Sequence, residues 1–216
     1  MKSAAVFASS LCLLLPGWSA AEEADAAQLD ALLARMADTR GVSAEFLERR
    51  EVALLVEPLE SRGVLYFVPP DRMARFTSAP AFSALVSDGG ALTFRESRDA
   101  PETDLSSSPM AAAFVENFMA VFSGDRDRLE RFYTATLQAA DEDWELVLVP
   151  RGKPLSRFIA SVSLRGDGGG MRELAVQETD GDRTVTRFVS VETDREFDPA
   201  ELATLFRDRE PLAPAP

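Results

Sequence analysis

The chain has no histidine and a single cysteine among its 216 residues, and only two tyrosines and two tryptophans. Without histidine no Ser-His-Asp or Cys-His nucleophile can be assembled, and nearly every zinc site is excluded as well. The one cysteine, Cys12, stands in an apolar N-terminal run without the small-residue box expected before a lipidated cysteine, so neither a disulfide nor a lipid anchor is expected after processing. Positive charge is short too. Lys and Arg total 23 against 36 Asp and Glu, a formal charge of −13, which argues against nucleic acid and against adsorption to anionic lipid. Past the N-terminus no segment approaches the ~20 apolar residues that span a bilayer, so no transmembrane segment is expected in the mature form.

What is present begins with Lys2, an apolar run from Ala4 to Pro16, and the small residues Ser19, Ala20 and Ala21 before Glu22-Glu23. This is the layout of a cleavable export signal over residues 1–21. The remainder suits one domain over 22–209, with a disordered Pro- and Ala-rich tail at 210–216.

Leu29, Leu32, Leu33 and Met36 recur at helical spacing after an Asp25/Gln28 capping-box-like start, which predicts an amphipathic helix ending near Gly41. Strands are predicted at 42–51, 62–68, 72–78, 82–87 and 91–96, with Asp88-Gly89-Gly90 as a hairpin turn. A polar loop over 99–108 leads through Ser108-Pro109 into a helix from Met110 to Phe122 in which only Glu116 and Asn117 are polar. A short helical turn is expected at 127–131. Strands resume at 132–139, 144–150, 157–164, 173–178 and 184–192, and Asp198-Pro199-Ala200-Glu201 caps a short helix through Phe206. About ten antiparallel strands in meander order predict a mainly β fold, either one strongly curved sheet or an open barrel.

Val64-Leu65-Tyr66-Phe67-Val68 is apolar on both faces, and Leu146-Val147-Leu148-Val149 and Phe158-Ile159 with Ala160 and Val162 repeat the pattern. A one-sided antiparallel strand alternates, so both faces of such a strand need cover. The helices at 29–36 and 110–122 are the available covers, and a curved sheet beneath them either fills its core or leaves an apolar cavity able to take an acyl chain.

Phe46 within Ala44-Glu45-Phe46-Leu47-Glu48, Gly63-x-Leu65, the Pro70…Pro80 spacing and Leu85-Val86-Ser87-Asp88-Gly89 with Leu92 and Phe94 resemble the LolA family of periplasmic outer-membrane lipoprotein carriers. The resemblance covers residues 29–96 in one register. It implies an open, strongly curved antiparallel half-barrel with a helical lid over an apolar cavity, and a non-enzymatic periplasmic carrier without cofactor. Implied partners are an acylated cargo, an inner-membrane exporter as donor and an outer-membrane acceptor, with the carrier itself a monomer. The family's basic residue before the proline matching Pro70 is Pro69 here, which offers no donor. In that respect the chain looks more like divergent LolA-like proteins that accompany aryl-polyene or lipid-pigment export genes.

On this resemblance the cavity is expected to be lined by some of Phe46, Leu65, Phe67, Met73, Phe94, Phe114 and Phe118. Arg72 and Arg75 beside the Pro-Pro-Asp turn read either as contacts to a cargo headgroup or lid, or as arginines in solvent. Phe114, Phe118 and Phe122, at i, i+4 and i+8, read as lid surface or as permanent core. Asp167 and Asp180-Gly181-Asp182 lack the ligand spacing of a calcium loop and read as turns. No carboxylate pair is placed for glycoside hydrolysis. A lipid-sensing or scaffold protein that binds a partner with the same fold is the rival reading.

Overall fold

The computed structural model describes residues 18–108, 115, 119, 123–168 and 170–213, with side chains from residue 26 onward. Eleven antiparallel strands form one sheet: β1 (Val42–Glu51), β2 (Leu59–Val68), β3 (Arg72–Ala79), β4 (Ser83–Asp88), β5 (Ala91–Arg95), β6 (Thr103–Asp104), β7 (Tyr133–Ala140), β8 (Asp143–Pro150), β9 (Ile159–Asp167), β10 (Gly170–Glu178) and β11 (Arg183–Thr193). Their order, β6-β5-β4-β3-β2-β1-β11-β10-β9-β8-β7, joins two meanders through β1 and β11. The sheet does not close, because β6 and β7 both remain edges. Every predicted strand is present within a few residues. The eleventh, β6, lies in the stretch read as a polar loop, where only two residues pair with Thr93 and Phe94.

Three helices are described: α1 (Trp18–Ala37), α2 (Arg126–Phe132) and α3 (Pro199–Leu202), the last continuing as a wider turn to Asp208. α1 starts ahead of the predicted Asp25 cap, which stands inside the helix. The alanine- and glutamate-rich stretch before it has high helix propensity, and this overrides a capping signal. The Asp198 capping box is as predicted: Asp198 Oδ1 accepts from the Ala200 and Glu201 amides at 2.7 and 2.8 Å, and Glu201 returns the bond to the Asp198 amide at 3.0 Å. Of the helix predicted over 110–122, only Val115 and Met119 fall among the described residues, and both are helical.

The apolar residues separate by face. On the inner face, α1 lays Leu29, Leu32 and Leu33 on Trp144, Leu146, Leu148, Ile159, Val162 and Leu164 of β8 and β9. Also inside, Phe46, Leu65, Phe67, Met73 and Leu92 pack with Val115 and Met119. On the outer face of the first meander, Tyr66, Ala74, Phe76, Ala84 and Val86 are covered by Leu205 and Phe206 of the C-terminal helix. Strand β2 is thus enclosed on both sides, and its outer cover is the one helix not anticipated for that role. In β8 the expectation of a doubly covered strand fails. Leu146 and Leu148 are buried inward, but Val149 on the outer face is 47% exposed. The contacts of the C-terminal helix extend into the segment read as a tail, where Leu212 packs on this outer cluster and Glu210 Oε1 accepts from Arg95 at 2.7 Å.

At Gly89 and Gly90 the β4–β5 hairpin turns through φ of 58° and 91°, which glycine adopts without steric cost. Gly63 serves a different purpose. A Cβ there would lie 1.9 Å from the Phe76 carbonyl oxygen and 2.8 Å from Phe46 Cζ, so the missing side chain lets β3 and the Phe46 ring close on β2.

Gly63→Ala is expected to lower stability by about 2–3 kcal/mol through overpacking, measured as a reduced urea midpoint at unchanged m-value. Both tyrosines are buried, and burial raises their phenol pKa values, that of Tyr133 to about 12. Tyrosinate absorbance of the folded protein at pH 10, where exposed tyrosine is half ionised, should therefore be well below that of the unfolded chain, with Tyr133 neutral. Because the neutral form is favoured by folding, stability is complete below about pH 10 and falls as pH rises through the folded pKa values.

Candidate functional site

The inner face carries two adjoining cavities whose linings share Leu65 and Phe188. The larger, of about 330 Å³, has apolar walls formed by Phe46, Leu65, Met73 and Leu85 from the first meander and Ile159, Leu174 and Val176 from the second. The smaller, of about 210 Å³, lies toward the end of α1 between Leu32, Met36, Trp144 and Met171. The cavities are possible because α1 fills only the β8–β9 side of the concave face. Where the two meanders meet at β1 and β11, the described helices leave the inward side chains facing one another across open space.

Period-2 alternation places most of the predicted lining. Leu65 alternates inward on β2, and Met73 and Arg75 inward on β3, with Phe46 inward on β1. Phe67 belongs to the same cluster but is fully buried, within the wall rather than at the surface of either cavity. Phe94 shares the inward face with Leu92 and stands opposite Leu85, half-buried. Phe114, Phe118 and Phe122 lie outside the described residues.

The two arginines part company. Arg72 alternates to the outer face, where its guanidinium stacks 3.9 Å from the Phe206 ring centroid and its Nε donates to Asp88 Oδ1 at 2.7 Å. The headgroup or lid contact suggested for Arg72 is therefore corrected: one residue of strand alternation from Met73 turns it away from the cavity. Arg75 points into the larger cavity, 4.3 Å over the Phe46 ring. Its Nη2 lies 2.9 Å from Glu48 Oε2, close enough to pair but off the hydrogen-bonding direction, so the buried Nη2 has no hydrogen-bond acceptor among the described residues.

Glu48 was absent from the sequence-based list, although alternation from Ala44 and Phe46 puts it on the same inward face. Strand register then gives it partners on both sides. Opposite it on β11, Thr186 Oγ1 donates to Oε2 at 2.9 Å; opposite it on β2, Ser61 Oγ donates to Oε1 at 3.2 Å. The result is a compact polar cluster on a mainly apolar wall, to which Glu178 and Thr184 also contribute. Phe188, Leu174 and Val176 were missed as well, since only the long-range β1–β11 register brings Phe188 opposite Phe46.

Both charges of the Glu48–Arg75 pair are about a quarter exposed, so their attraction is only partly screened. In a double-mutant cycle with Glu48→Gln and Arg75→Gln, read by urea unfolding, a coupling of about 1 kcal/mol is expected. Glu48→Gln alone should destabilise, because it leaves a half-buried guanidinium beside an apolar ring.

The structural resemblances are broad and remote in sequence. A LolA superfamily protein from Nitrosomonas europaea is 10% identical over 82% of this chain and 96% of its own, with a TM-score of 0.45. A DUF1329 family protein from Desulfovibrio piger is 9% identical over 84% and 96%, with a TM-score of 0.47. A chain of the Pseudomonas aeruginosa MucA/MucB complex is 13% identical over 81% of this chain but only 60% of its own, with a TM-score of 0.49. No curated protein sequence matches the chain. The family model for outer membrane lipoprotein carrier protein LolA-like sequences matches residues 20–207. The chain, with its open eleven-stranded sheet, belongs to this LolA-like family.

Proposed function

We propose that this protein is a non-enzymatic periplasmic carrier that shelters the acyl chains of a lipoprotein or lipid-like cargo on the way to the outer membrane. The observation that carries this reading is the pair of adjoining apolar cavities between the two meanders, walled by side chains from both. The larger has room for about ten groups of methylene size, taking ~30 Å³ each, the volume share of a water molecule. Ten methylenes at about 0.8 kcal/mol each supply on the order of 8 kcal/mol, enough to hold a chain out of water without a specific headgroup site.

In this reading residues 1–21 direct export, residues 22–209 form the carrier, and an inner-membrane donor and outer-membrane acceptor stand at either end of the transfer. Arg75 and Glu48 meet the polar end of the cargo, where the aliphatic walls give way to the polar cluster. Val115 and Met119 pack on the Phe46–Phe67–Met73 side through apolar contacts, and contacts of this kind open at small cost.

The test is native mass spectrometry with lipid extraction on protein taken from the periplasm of its host, beside binding of a fluorescent fatty acid in vitro. Bound acyl species and a probe affinity reduced about tenfold or more by the cavity-filling pair Leu174→Phe and Val176→Phe are the expected results. Protein that is free of acyl material, ignores the probe and co-purifies with a stoichiometric protein partner would replace the carrier by a partner-binding scaffold.

A further inference from the structure

The tip of the β1–β2 hairpin holds its aliphatic side chains in water. Leu54 is 94% exposed and Val56 completely so, while Leu55 and Leu59 are about half exposed. Hairpin tips are ordinarily polar turns rich in Gly, Asn and Asp. Residues 52–59 read Val-Ala-Leu-Leu-Val-Glu-Pro-Leu, with Glu57 the one charge. The tip is fixed rather than loosely draped. The Ala53 amide donates to Oδ1 of the buried Asp182 at 2.9 Å, the Leu55 amide donates to the Val52 carbonyl at 2.9 Å, and Arg50 Nη2 donates to Asp182 Oδ2 at 3.2 Å.

The turn that anchors the tip also anchors the mouth of the larger cavity. Thr179 donates from its amide to the Phe158 carbonyl and from Oγ1 to the Arg157 carbonyl, each at 2.9 Å. Phe158, 40% exposed, lines that cavity. The aliphatic tip and the cavity mouth therefore stand at one end of the molecule, tied to the same β10–β11 connection.

The chemistry of the tip discriminates between occupants. Protein interfaces are anchored by aromatic residues and arginine, and residues 52–59 have neither. The arginines at its base are already paired, Arg49 with Glu51 and Glu60, Arg50 with Glu178 and Asp182. With no surplus of positive charge, attraction to anionic headgroups is weak, whereas Leu and Val side chains suit shallow insertion into acyl chains.

We propose that the 52–59 tip is a membrane-contacting element that inserts Leu54, Leu55 and Val56 into the interfacial zone of a largely zwitterionic leaflet and so brings the larger cavity against a source of acyl chains. Its purpose rests on the carrier reading, but vesicle attachment and acyl binding are separate measurements, so either can fail alone.

The experiment is flotation of the purified protein with phosphatidylcholine–phosphatidylethanolamine vesicles on a density gradient. The protein is expected to float with the vesicles, with little dependence on added salt. Leu54→Ser with Val56→Ser should weaken attachment by about tenfold or more, the effect of withholding two aliphatic side chains from hydrocarbon. That variant should keep the circular dichroism spectrum and the fatty-acid probe affinity of the parent. Leu47→Ser, at a half-exposed leucine on the outer side of β1, should float as the parent does. A parent protein that stays at the bottom of the gradient, or a Leu54→Ser/Val56→Ser variant that floats equally well, overturns the proposal.

Discussion

The pairing of β1 with β11 is the interaction on which the remaining structure depends. It aligns Val42 with Thr193 at one end and Glu51 with Arg183 at the other, and among the described residues it is the only ladder that connects the two meanders. Partners about 130 to 150 positions apart must meet before either meander gains the other as a wall, so the ladder bears a large loop-closure cost that later contacts offset. The pairing sets Phe46 opposite Phe188 and Glu48 opposite Thr186. Both the apolar wall and its polar cluster are therefore consequences of this one register.

The two halves solve the problem of a wide sheet differently. The second meander is a packed layer on its β8–β9 side, where α1 fills the inner face, while β10 and β11 turn Leu174, Val176 and Phe188 to the cavity and the outer face is partly in water. The first is covered on both sides, by Leu205 and Phe206 outside and by Val115 and Met119 inside. Its outer cover fixes the sheet's position through buried leucine and phenylalanine, with Arg72 clasped between Phe206 and Asp88. The outer side is thus held by buried apolar contacts and a clasped arginine, while Val115 and Met119 are the helical cover described on the inner side.

The polar cluster in the wall follows from packing. A lone guanidinium against the Phe46 ring would carry a desolvation cost, which Glu48 reduces by charge and Ser61 and Thr186 reduce by satisfying the carboxylate. Gly63 makes the approach of β3 possible, since any side chain there would collide with Phe76 and Phe46. The cluster therefore requires a glycine on β2, a carboxylate on β1 and an arginine on β3 together, although no two of them are near in sequence.

Much of the fold was legible along the chain because its signals are local. Glycine turns, the Asp198 cap and the apolar–polar period of each strand depend on a few neighbouring residues, and the Leu29–Met36 stripe depends on helical spacing. Phe46, Leu65 and Met73 could be placed on one face by alternation and by the family resemblance. The partners across strands were not legible: Phe188 and Thr186 reach the cavity through the β1–β11 register, and Arg72 and Arg75 separate because β3 fixes which of alternate residues turns inward. The sequence by itself determined a mainly antiparallel β chain with an excess of apolar strand surface, since those properties follow from local period and composition, while its openness was implied by the family resemblance. Only the tertiary structure decided which surplus became buried core, which became cavity wall and which, at Leu54 and Val56, was left in water, because these outcomes depend on what meets each face after distant strands pair.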